Sequence, residues 1–138
     1  MRLDPRFRNA LYAAFATLLI TGCAWLLADW RKDASADDLW QESAAYLLML
    51  HGGAAMATLM LLGALVPLHV QRAWRSRRNR TTGVAMMTFN VTLIATAFGL
   101  YYLGSEVIRP WISDLHIAGG VLLPVMFLAH LMIGRRRL

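Results

Sequence analysis

An all-α membrane protein is what this sequence predicts: a bundle of four transmembrane helices with both termini in the cytoplasm. Three observations predict it. Of 138 residues, 58% are hydrophobic and only 16% charged, too little charge to coat a water-soluble domain of this size. Residues 9–28, 43–71, 81–105 and 115–134 contain no Asp, Glu, Lys or Arg, and a helix needs roughly 20 apolar residues to cross a ~30 Å hydrocarbon core. The basic residues fall in the connections on one side: eleven of the fourteen lie before the first run, between the second and third, or after the fourth. The positive-inside rule assigns that side to the cytoplasm.

One domain, 1–138, with spans at about 9–30, 44–71, 81–104 and 112–134, is expected from these runs. The first follows Arg2, Arg6 and Arg8. Its Ile20-Thr21-Gly22-Cys23 resembles a bacterial lipoprotein cleavage box, but Ala24-Trp25-Leu26-Leu27-Ala28 completes a full-length span instead of a short signal. Cys23, the one cysteine, is expected to be a buried packing residue, because free cysteine behaves as a small hydrophobe. It excludes an internal disulfide, and the lack of Cys-x-x-Cys-His excludes covalent haem attachment.

Residues 29–42 are expected to form the longer periplasmic loop, with Trp30 and Trp40 at the water–lipid boundary and Ser35 or Asp37 capping a short interfacial helix. Only Arg31, Lys32 and Arg109 are basic on this side, beside seven of the eight acids. The second span carries His51 near its periplasmic end and His69 near its cytoplasmic end, and leads into the loop with Arg72, Arg75, Arg77, Arg78 and Arg80. Topology accounts for these arginines, so nucleic acid is not an expected partner. The third and first spans lack histidine and are expected to close the bundle, with Gly22, Gly99 and Gly104 allowing close approach. Residues 104–114 form the short second periplasmic loop, where Pro110 is expected to break the helix and Ser113 or Asp114 to cap the fourth span. That span carries His116 and His130 and ends at Arg135, Arg136 and Arg137.

All four histidines thus lie in two spans, where ionisable groups are costly and a functional role is the default. At about 100° per residue, the step from His116 to His130 leaves them about 40° apart, and the step from His51 to His69 closes five circuits. Each span presents two histidines on one face. The two spans run in the same direction, so His51 and His116 share a periplasmic layer, while His69 and His130 share a cytoplasmic one, roughly 21 to 27 Å away. Two imidazoles per layer are too few for a structural zinc, which usually takes four protein ligands. Iron in a porphyrin needs only two more. Small residues follow the outer histidines, Ala54 and Ala55 after His51 and Gly119 and Gly120 after His116, leaving room for a flat ring. Thr58, Leu62, Leu65, Leu123 and Phe127 are expected to line the space between two haems.

The pattern resembles the four-helix di-haem cytochromes b of bacteria, which include the b561-like proteins and the membrane subunits of respiratory formate dehydrogenases and hydrogenases. The likeness rests on His116 and His130, with His51 and His69 assigned by the same logic. This chain departs in having no histidine in its first span and an 18-residue spacing in its second. The resemblance implies two non-covalent haem b groups, the periplasmic iron held by His51 and His116 and the cytoplasmic iron by His69 and His130. It also implies transmembrane electron transfer in the bacterial inner membrane, between the quinone pool and a periplasmic or membrane redox partner. Arg109 and Trp111 are expected to serve the outer haem's propionates, Arg72 and Arg135 the inner's. Membrane lipid, quinone and a second copy of the chain complete the expected partners. Two alternatives stay open: a self-contained quinol or superoxide oxidoreductase drawing an anion to Arg31, Lys32 and Arg109, and a haem-free transporter or assembly protein.

Overall fold

A computed structural model describes residues 3–34, 38–76 and 80–136, without the side chains of Arg135 and Arg136. Of these residues 94% are helical, and no strand occurs among them. The helices are α1 (Pro5–Ala34), α2 (Asp38–Leu65), α3 (Gln71–Arg75), α4 (Arg80–Tyr102) and α5 (Ile108–Arg136), with a π-helical turn at Val66–Val70 joining α2 to α3. Four helical stretches are long and apolar enough to cross a membrane: Pro5–Ala34, Asp38–Arg75, Arg80–Tyr102 and Ile108–Gly134. Their outward faces are apolar, with Met49 72% and Met60 73% exposed, as lipid-facing positions require.

Two compact units make up the chain, Met1–Arg72 and Ala73–Leu138. The first is an antiparallel pairing of α1 with α2, the second of α4 with α5. Small residues set both seams, because close approach is what drives helix association in lipid. In the first unit Ala28 and Ala44 are buried, and Gly22 abuts the ring of His51. In the second, Gly99 meets Ile112 and Gly119 meets Leu93. Gly104 has open space around it, so the close approach expected there does not occur.

The helices begin and end differently from the sequence expectation in three places. Asp4 caps α1: its Oδ1 accepts the N–H of Arg6 at 2.9 Å and of Phe7 at 3.2 Å, with Pro5 at the first helical position. That Asp-Pro pair is an ordinary start signal, since proline there lacks an N–H that would have no partner. The loop expected over 29–42 is mostly helix, with α1 running to Ala34 and α2 starting at Asp38. Ser35 and Asp37, the expected caps, lie outside the described residues. Pro110 sits in the first turn of α5, where it is tolerated for the same reason as Pro5, so it begins the helix and does not break it. Ser113 and Asp114 are consequently inside α5, and the hydroxyl of Ser105 accepts the N–H of Ile108 at 3.4 Å. Cys23 is exposed and not a packing residue, because α1 turns Thr21 and Gly22 toward α2 and carries position 23 off that face.

Candidate haem-ligand site

Each histidine is half-buried, and three of them are held by a threonine on the neighbouring helix of the same unit. Nδ1 of His51 lies 3.0 Å from Oγ1 of Thr21 on α1. Nδ1 of His116 lies 2.8 Å from Oγ1 of Thr96 on α4, and Nδ1 of His130 lies 3.0 Å from Oγ1 of Thr82, also on α4. Thr82 and Thr96 stand as far apart in the chain as His116 and His130, so one antiparallel register aligns both pairs.

The tautomer depends on where the hydroxyl protons lie. A threonine hydroxyl has one to give. Thr21 gives it to the carbonyl of Thr17, one turn back at 2.7 Å, and Thr96 to that of Thr92 at 2.8 Å. With the protons there, both oxygens accept from the imidazoles, and Nδ1 of His51 and of His116 donates. In the neutral ring the lone pair then resides on Nε2, the nitrogen that binds a metal when Nδ1–H is engaged by an outer partner.

Thr21 and Thr96 are each 8% exposed and Thr58 is 4%, making threonines the buried polar side chains among the described residues. Thr58 donates to the carbonyl of Ala54 at 2.7 Å. Thr58 and Leu123 are buried, while Leu62, Leu65 and Phe127 are half-exposed. Gly119 and Gly120 play different parts. A Cβ on Gly119 would meet Leu93 at 3.1 Å, whereas one on Gly120, a turn after His116, would meet nothing within 4 Å. Of the two glycines, Gly120 is the one with open space beside it.

His69 lies in the π-helical turn. Pro67 has no N–H to give, and the N–H of Gln71 reaches back five residues to the carbonyl of Val66. A uniform 100° per residue does not run through this turn, so the five-circuit alignment of His69 with His51 does not describe the chain. Turns of this kind recur at functional sites.

Among the cations, Lys32, Arg31 and Arg80 are engaged. Lys32 forms an ion pair with Asp29 at 2.6 Å. The guanidinium of Arg31 stands 5.4 Å from the Trp30 ring centroid and 5.7 Å from that of Trp40, linking α1 to α2. Arg109 and Trp111 are exposed in the first turn of α5. Arg80 reaches back to the carbonyl of Trp74 at 2.7 Å and stacks over its ring at 4.7 Å, which closes the α3–α4 connection. Arg72 is exposed, and the side chain of Arg135 lies outside the described residues.

Three imidazoles, each engaged at Nδ1 from a neighbouring helix, are a donor set that would suit haem iron, in helices too apolar to solvate a bare ion. Among the described residues no three His, Cys, Asp or Glu side chains converge as a metal cage. No family model, curated protein or solved structure matches this chain.

Threonine was the signal the sequence reading passed over. The equal spacing of Thr82–Thr96 and His116–His130 is visible in the residues alone, once α4 and α5 are taken as antiparallel neighbours.

Proposed function

We propose that this protein carries electrons across the bacterial inner membrane through two b-type haems, between the quinone pool and a periplasmic or membrane redox partner. Both termini would be cytoplasmic, as the basic residues indicate. His51 and His116 would hold the haem at the periplasmic depth, and His69 and His130 the haem at the cytoplasmic depth. The observation that carries the reading is the engagement of Nδ1 in His51 and His116 by threonine hydroxyls on the neighbouring helix, an arrangement that suits a metal-binding Nε2.

Haem held between two imidazoles supplies one-electron transfer with no open coordination position. The chain's residues do the rest. Thr21, Thr82 and Thr96 orient the rings, Gly120 leaves room beside His116, and the apolar outer faces keep water away. The anion-attracting alternative rests on Arg31, Lys32 and Arg109, of which Lys32 is paired with Asp29 and Arg31 lies against two indole rings, leaving Arg109 exposed.

A reduced-minus-oxidised spectrum of the purified protein tests the proposal. An α-band and a Soret shift with about two haems per chain are expected. Their absence from protein made in haem-replete cells rejects both cytochrome readings in favour of a haem-free transporter or assembly protein.

A further inference from the structure

We propose that Thr21 and Thr96 are positioning residues that keep His51 and His116 protonated at Nδ1 and thereby set how strongly each Nε2 donates to iron, a role that rests on the haem reading above. The two threonines stand in the same relation to their histidines in separate units. Each is on the first helix of its hairpin, each is buried, and each returns its own proton to the carbonyl one turn back. At 8% exposure little water can take over from a lost hydroxyl, and in an apolar interior an unpaired N–H is costly. A hydroxyl with its proton committed is a neutral acceptor. It draws on Nδ1–H less than a carboxylate would and more than an aliphatic side chain would, so it fixes the ring while giving Nε2 an intermediate basicity.

Axial-ligand basicity is one of the levers on haem potential, since a more electron-rich imidazole favours the oxidised iron. Removing the acceptor lowers that basicity and favours the reduced iron. The test compares Thr21→Val and Thr96→Val, which keep shape and lose the hydroxyl, with Thr21→Ser and Thr96→Ser, which keep it. Redox titration of the full-length haem-loaded protein is expected to show one haem midpoint moved upward in each valine variant, with the other haem unmoved. The serine variants are expected to return it toward the parent value. An unmoved potential in valine variants that retain haem, or the same shift in serine and valine, overturns the proposal.

A second readout does not depend on the loaded protein. In full-length, ¹⁵N-histidine-labelled protein prepared without haem, His51 and His116 are expected to give a protonated-type Nδ1 and a lone-pair-type Nε2. The valine variants are expected to give mixed tautomers, and an unchanged tautomer in them overturns the proposal even where haem is lost. If the parent carries no haem, the electron-transfer reading falls while this nitrogen measurement still decides the role of the threonines.

Discussion

At Gly22 a missing methyl group lets the ring of His51 come close: a Cβ there would stand 3.2 Å from Cε1 and 3.5 Å from Nδ1. The first separation is tighter than side chains comfortably bear, so Gly22→Ala must push the imidazole away and lengthen its 3.0 Å contact with Thr21. Overpacking of this kind costs about 1–3 kcal/mol. We expect Gly22→Ala to lower the midpoint of thermal unfolding in detergent. Gly53→Ala, whose Cβ meets nothing within 4 Å, is expected to be neutral or to gain up to about 1 kcal/mol from helix propensity. Equal midpoints for the two variants would remove Gly22 from the seam. This contact was half legible in the sequence. Gly22 was marked as a close-approach residue, but nothing in one span's periodicity says which side chain of another span comes to meet it.

The spans were legible as elements because charge-free length is enough to mark a helix in lipid. Three of them were read too short, since apolarity stops at the hydrocarbon edge while the helices run on; the third was expected to reach residue 104, and α4 ends at Tyr102. Asp38 starts a helix although residues 38–42 look like loop, and Pro110 opens one although proline reads as a breaker. The π-helical turn was less legible still: Pro67 announces a disturbance, but not whether the backbone kinks or widens. A widened turn predicts that Pro67 governs the azimuth of His69. Pro67→Ala restores an N–H donor and lets α2 wind on as α-helix, rotating His69 by up to about 100° against His51. The expected outcome is a loss or a spectral change of the haem assigned to His69, with the other haem intact. Identical haem spectra and potentials in Pro67→Ala and the parent would show that the turn does not serve ligand placement.

On the scale of the whole molecule, the sequence prediction of two histidine layers concerns how the two units come together, and cofactor counting addresses it directly. We expect His51→Ala and His116→Ala each to lose the same haem, recognised by its midpoint potential, and His69→Ala and His130→Ala each to lose the other. Loss of different haems from His51→Ala and His116→Ala would break the proposed pairing while leaving both residues as ligands. Orientation is open to a parallel check, because basic connections on one face predict that cysteines placed in the 72–80 connection are labelled only from the cytoplasmic side. Composition sufficed for the membrane class. The chemistry needed positions, and those became readable where two helices shared a spacing.

Matched separations on α4 and α5 also constrain how this gene can change length. A codon inserted between positions 82 and 96 alone turns one threonine about 100° away from its histidine while sparing the other. A second codon between positions 116 and 130 brings the lost partners level again. Insertions and deletions in these two stretches should therefore survive only as compensated pairs, whereas the non-helical residues 103–107, touching neither contact, are free to grow or shrink in number.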